Sequence, residues 1–138
     1  MNEDDCLFCK MVAGQIPVAK IYEDEDVLAF LDIGPISDGH TLVIPKQHFE
    51  KLHDCIPELL GKVGSQMCKI AGAVMMAMNS DGYNILCNNG RAAGQLIKHL
   101  HFHIIPRNTD DGLLKSWPSY QYEQGKIELV AEKIRKTL

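Results

Sequence analysis

Along the chain, the arrangement of apolar and polar positions switches between two periods. Near the start, "AKIYEDEDVLAFLDI" holds two runs rich in β-branched and aromatic residues on either side of the acidic stretch Asp24 to Asp26, which predicts two strands joined by a turn. "HTLVIP" predicts a third strand, stopped by Pro45. From Pro57 to Asn79 the period lengthens. Leu59, Leu60, Val63, Met67, Ile70, Val74 and Met78 recur every three to four residues, and Pro57 suits the first turn of a helix. The last third of this helix, "AGAVMMAM", is apolar on more than one face, with Met75 and Met76 outside the main stripe, so a second core layer or a partner subunit is expected over them.

"YNILC" predicts a fourth strand, "NNGRAAG" a glycine-punctuated loop, and "KHLHFHIIPR" a fifth strand. A short helix is expected near Cys9 to Gly14, and another from Lys126 after a tail with the single tryptophan. No internal repeat or linker-like tract divides residues 1–138, so the chain reads as one domain: an N-terminal segment at about 6–14, a core at about 18–107 and a tail with its helix at 108–138. Strands, one long helix, then two more strands give no regular βαβα alternation. The expected class is α+β with a mainly antiparallel five-stranded sheet.

The fifth strand carries the most specific chemistry. His99, His101 and His103 alternate with bulky apolar residues, and alternate residues of a strand share one face about 6.6–7 Å apart. Imidazole ligates metals, moves protons and acts as a nucleophile near neutral pH. A single histidine there would read as an exposed polar position, whereas a row of three reads as a site.

Charge narrows the partners. The formal net charge is -4 and no run of Lys or Arg is long enough to follow a phosphate backbone, which argues against nucleic acid. The start "MNEDDC" is acidic, without the basic and apolar parts of a signal peptide, and no segment has the length of a membrane span. The expected location is the cytoplasm, with no membrane partner. There thiols stay reduced, so the five cysteines are not expected in disulfides, and Cys55, Cys68 and Cys87, set among apolar residues, read as buried small hydrophobes.

Cys6 and Cys9 in "CLFC" have the spacing that lets two sulfurs reach one tetrahedral metal, with His48 and His99 available as further ligands. A redox pair uses the same spacing, but normally between a strand and a helix, a context missing from this acidic start. In "CNNGRAAGQ", Gly90 and Gly94 permit unusual dihedrals, and Asn88 and Gln95 offer neutral amide donors suited to phosphoryl oxygens. An ordinary polar hairpin loop would look much the same. Arg91, at the loop tip, reads as solvated and is left outside the site.

Taken together, "FLDI", "GHTLVIPKQH", "NNGRAAGQ" and above all "HLHFHII" occur in an order and spacing that closely resemble the histidine triad (HIT) family, over about residues 6–107. The resemblance implies a HIT-like fold, usually a homodimer, that binds a purine nucleotide or nucleotide conjugate. It also implies hydrolysis or transfer of the nucleoside monophosphate through a covalent nucleotidyl-histidine. On the matching positions, His101 is expected to be the nucleophile, with His103, Asn88 and Gln95 around the phosphoryl group. Asp32 would bind ribose hydroxyls, Ile33 and Phe30 would lie near the base, Gly94 would line the nucleotide site, and His40 would support the site from behind. The chain resembles further the subset of the family that holds zinc, here through Cys6, Cys9, His48 and His99. His53 has no expected role beyond the surface. Members that cleave purine phosphoramidates often carry a hydroxyl residue after the Gly-Gln pair, where this chain has Leu96, which cannot donate a hydrogen bond. Phosphoramidates, aminoacyl adenylates and dinucleoside polyphosphates thus all stay open as substrates. A nucleotide-binding module with little turnover and a Cys-x-x-Cys zinc or redox protein are the alternatives.

Overall fold

The computed structural model describes residues 5–138; the acidic start, residues 1–4, lies outside them. The elements run α1 (Leu7–Val12), β1 (Lys20–Glu23), β2 (Val27–Leu31), β3 (Thr41–Pro45), α2 (Pro57–Met78), β4 (Gly82–Leu86), β5 (Phe102–Arg107) and α3 (Lys126–Arg135). The five strands form one antiparallel sheet in the order β1-β2-β3-β5-β4. The acidic turn between β1 and β2 closes on Asp24, whose Oδ1 accepts from the backbone N–H groups of Asp26 and Val27 at 2.8 and 2.7 Å. An aspartate that can accept from two residues ahead is a turn former for this reason.

Both faces of β2 and β3 are covered, which is why these strands read as nearly continuous apolar runs. On one face Val27, Ala29, Val43, Phe102 and Ile104 pack against Leu59, Val63, Ile70 and Val74 of α2. On the other, Leu28, Phe30, Leu42 and Ile44 pack against Cys6 and Phe8 of the N-terminal segment. Each of these aliphatic side chains, when fully buried, contributes on the order of 1.5–3 kcal/mol. The register places Phe30 opposite Leu42 and Leu42 opposite His103, so His103 falls in the row of the face that α1 covers.

Helix α2 starts with Pro57 in its first turn and ends where Asn79 takes a left-handed conformation (φ 48°), whose N–H caps the carbonyl of Met76. The predicted stripe is buried at Leu59, Val63, Ile70 and Val74, and Ala71 joins it. Met75, Met76 and Met78 stay on the outer surface of the single chain, with Met76 83 % exposed, so no second core layer covers them.

Two expectations change. Cys68 faces outward on α2 instead of entering the core; Cys55 is buried and Cys87 half-buried. The fifth strand begins only at Phe102, so His99 and His101 precede it. The Leu100 N–H donates to the Phe49 carbonyl at 2.6 Å and the His99 ring contacts the Pro45 carbonyl at 2.8 Å. These bonds tie residues 99–100 to the end of β3 and the loop after it, in place of a strand ladder. All three rings still lie on the α1 side of the sheet, but only His103 owes this to strand geometry.

Candidate active site and metal centre

The N-terminal segment reaches the histidines through its cysteines. Cys6 is the N-cap of α1, and its Sγ accepts from the Cys9 N–H at 3.4 Å. Nδ1 of His99 lies 3.4 Å from Sγ of Cys6 and 3.5 Å from Sγ of Cys9, and Nδ1 of His48 lies 3.4 Å from Sγ of Cys9. The four ligand atoms all sit within 4.8 Å of one another. Zinc–sulfur and zinc–nitrogen bonds of about 2.3 and 2.05 Å at tetrahedral angles put sulfur and nitrogen about 3.5 Å apart, so the cluster has the dimensions of a zinc site.

The protonation pattern fits as well. Nε2 of His99 faces the Pro45 carbonyl at 2.8 Å and must donate to it, which leaves a lone pair on Nδ1, the atom aimed at the sulfurs. Burial pushes the pKa of this fully buried ring down to about 4, so it is neutral, as a ligand must be.

Beside this cluster a pocket of about 330 Å³ opens between α1, the end of β2 and the loop before β5. Phe30, Asp32, Ile33, Asn88, Gly94, His101 and His103, all expected in the site, line it. Nδ1 of His101 lies 2.6 Å from the His99 carbonyl and donates to it, so the unprotonated nitrogen of this ring is Nε2. Burial lowers the pKa of His101 and, more strongly, that of His103, to about 4, where the neighbouring His101 and His40 add to the effect. Both rings are neutral near pH 7. Their centroids are 4.9 Å apart in an edge-to-face arrangement.

His40 lies behind His103, with Nε2 2.8 Å from its Nδ1, while the Ile36 N–H donates to Nδ1 of His40 at 3.1 Å. Asp32 is held at the rim by the Gly34 N–H, which donates to Oδ1 at 2.8 Å. His53 is a surface residue, as expected.

Gln95 departs from its expected role. Its Oε1 accepts from the Gly90 N–H and its Nε2 donates to the Glu50 carbonyl, each at 2.7 Å, so the amide braces the loop and does not face the pocket. The brace works because Gly90 (φ 87°, ψ 157°) adopts a conformation that side chains disfavour. Residues absent from the sequence reading complete the walls. Phe8 sets its ring edge-to-face against Phe30, His99 and His101 at 5.6, 5.8 and 5.2 Å, and so joins metal cluster to pocket. The only local sign of this was an aromatic residue between two cysteines. Leu7, Met11, Val18, Leu42 and Ile97 add apolar lining. Leu96 also borders the pocket, and 88 % of its surface is exposed.

Comparison with known proteins matches this architecture. A HIT domain is recognised over residues 13–110. The adenosine 5'-monophosphoramidase of Schizosaccharomyces pombe is 45 % identical over 130 residues, covering 94 % of this chain and 95 % of that protein. A crystal structure of a HIT-family member from Bacillus subtilis superimposes with a TM-score of 0.91 at 44 % identity over 97 % of each chain. That of a zinc-bound histidine triad family protein from Mycobacterium smegmatis does so with a TM-score of 0.76 at 35 % identity, over 99 % of this chain and 100 % of the other.

Proposed function

This chain belongs to the histidine triad family, and from that premise we propose that it is a nucleoside-phosphoryl hydrolase or transferase acting on purine nucleotide conjugates. The observation that carries this reading is the orientation of His101. Its Nδ1–H is held by the His99 carbonyl at 2.6 Å, and its Nε2 lone pair is left for the pocket. Nε2 attacks the α-phosphorus, a P–N bond to His101 forms, and the bond from phosphorus to the departing amine, carboxylate or phosphate breaks. Water, or another acceptor, then attacks the nucleotidyl-histidine in line, releasing the nucleoside monophosphate and restoring the ring. His103 and Asn88, both in the pocket wall, supply donors for phosphoryl oxygens, and Gly94 lets the loop approach closely. Asp32 takes the ribose hydroxyls, and Phe30 and Ile33, the latter 99 % exposed at the rim, take the purine.

Cys6, Cys9, His48 and His99 would hold zinc. A site closed by four protein ligands leaves no position for water or substrate, so the metal supplies stability, not chemistry. The histidine nitrogens set against both sulfurs favour this reading over a dithiol redox pair. The exposed methionines of α2, together with Tyr83 and Ile85 on edge strand β4, form an apolar face suited to a second copy, and we assign the protein as a homodimer. Among the described residues no helix is long and apolar enough to cross a membrane. The cytoplasm is the proposed location, in keeping with reduced cysteine ligands.

A single screen tests the activity: purified protein with adenosine 5'-phosphoramidate, adenylated lysine or a dinucleoside polyphosphate, and products identified by mass. Release of the nucleoside monophosphate from at least one is expected. Binding of the monophosphate with no turnover of any of them would leave a binding module in place of an enzyme.

A further inference from the structure

Helix α1 stands between the Cys–His cluster and the pocket and belongs to both. Cys6 caps it and Cys9 lies in its first turn, while Leu7, Phe8 and Met11, followed by Ile16, Pro17 and Val18, form one wall of the pocket. At six residues the helix is too short to hold itself in water. Its backbone does not tie it to the sheet. Among the described residues, the backbone hydrogen bonds of residues 6–15 stay inside the segment: the Lys10 N–H donates to the Cys6 carbonyl, that of Ala13 to Cys9, Gly14 to Met11 and Gln15 to Lys10. Main-chain bonding to the sheet begins at Ala19, whose carbonyl accepts from the Leu31 N–H at 3.0 Å. The side-chain hydrogen bonds from α1 to the rest of the chain run through Cys6 and Cys9, whose sulfurs meet His48 and His99. Beyond these, α1 is held by apolar packing, chiefly that of the buried Phe8 on Phe30 and on the His99 and His101 rings.

We propose that metal binding and nucleotide binding are coupled through α1: the Cys–His cluster clamps this helix over the pocket, so that each ligand raises the affinity for the other. The four metal ligands meet only while α1 lies on the sheet, because Cys6 and Cys9 belong to the helix, whereas His48 and His99 belong to the segments after β3 and before β5. The wall made by Leu7, Phe8 and Met11 exists only in that same arrangement. Zinc and nucleotide therefore both select docked α1, and thermodynamic linkage makes the two effects equal in size. In metal-free protein the helix is docked for only part of the time, and the apparent affinity for nucleotide falls by that fraction. Docking also brings the Phe8 ring against His101, at 5.2 Å between centroids, so the clamp orders the ring that faces the phosphoryl group as well as the apolar wall. The inference rests on the zinc and nucleotide readings above.

The test uses the full chain, loaded with one equivalent of zinc or stripped by a chelator, at a temperature where circular dichroism shows the stripped protein folded. Calorimetric titration with AMP should give a dissociation constant about 5- to 50-fold weaker without zinc, and zinc added back should restore it. Competition with a chromophoric chelator should show zinc held more tightly, by the same factor, in saturating AMP. Amide hydrogen exchange at residues 7–12 should be fast in stripped protein and slowed by AMP alone, with β3 unchanged, whereas a general loss of stability would speed exchange in both. Leu7→Ala trims the wall at a half-exposed side chain that makes no contact in the cluster, and it should reduce the ratio of AMP affinities with and without zinc. If the stripped protein does not stay folded, the effect of AMP on zinc affinity in wild type and in Leu7→Ala decides alone. Equal AMP affinities with and without zinc, a zinc affinity indifferent to AMP, or an undiminished effect in Leu7→Ala overturns the proposal. Absence of AMP binding in either state overturns the nucleotide reading along with it, absence of zinc uptake overturns the metal reading along with it, and binding of both without coupling overturns this inference alone.

Discussion

The Nδ1–H of His101 is bonded to the carbonyl oxygen of His99 at 2.6 Å, so the residue that turns its ring to Cys6 and Cys9 holds the neighbouring imidazole with its backbone. The Cys–His cluster and the pocket are thus linked by the backbone bond between His99 and His101, and Phe8 packs on both rings. The consequences for metal and for catalysis can be separated by experiment.

Removing the metal is expected to act first on stability. The double change Cys6→Ser and Cys9→Ser, or a chelator, should lower the melting temperature by roughly 10 °C or more, a loss of several kcal/mol for a chain of this size. Nucleotide turnover at temperatures below the new transition should fall by a smaller factor. Scanning calorimetry of the double variant beside wild type decides, and coincident melting curves would remove the structural zinc site.

His101→Ala should still bind AMP through Asp32 and the base pocket, but lose on the order of a thousandfold or more in turnover. Rapid quenching of wild type under non-acidic conditions should trap a nucleotide on His101, located by peptide mass analysis. An adduct on another residue would transfer the nucleophile role there.

Leu96→Ser places a hydroxyl at the exposed edge of the pocket, where the leucine can only exclude water. One new hydrogen bond to the scissile group is worth roughly 0.5–1.5 kcal/mol, so kcat/KM for adenosine 5'-phosphoramidate should rise about two- to tenfold. AMP affinity should stay the same. A drop, or no change, would show that position 96 does not face the departing group.

Acid should destabilise the protein through His40 and His103. The pKa of each is depressed in the fold chiefly by burial, that of His103 to about 4, despite the opposing pull of Asp32. A depressed group contributes stability that is present above the ordinary histidine pKa, about 6.5, and lost as pH falls toward the folded value. Melting temperature should therefore fall between about pH 6.5 and pH 4, and the slope should be shallower in His103→Asn. Equal slopes would place the acid sensitivity elsewhere.

Met76→Glu is expected to weaken a dimer without unfolding the chain, because that side chain is solvent-facing in the single copy. Sedimentation of wild type at micromolar concentration should show two copies, and the variant should shift toward one. A monomeric wild type removes the homodimer assignment.

Much of this protein was determined locally. The three-to-four-residue recurrence from Leu59 to Val74 specifies a helix with one apolar face, and the acidic turn at Asp24 is closed by its own side chain between β1 and β2. Residue type also determined the candidate ligands, since two thiols at Cys6 and Cys9 and the imidazoles of His48 and His99 are the groups that bind zinc. Hydrogen-bond partners distant in sequence belong to another level. Carbonyls of Pro45 and Phe49 hold residues 99 and 100 out of the strand, and that of Glu50 takes the Gln95 amide. The direction of His40 toward His103, 63 positions away, is of the same kind. Alternation in a sequence encodes which side of the backbone a residue takes. Which carbonyl or ring satisfies a buried N–H depends on loops that meet only once the sheet has formed, and there the tertiary structure decided how these rings are held.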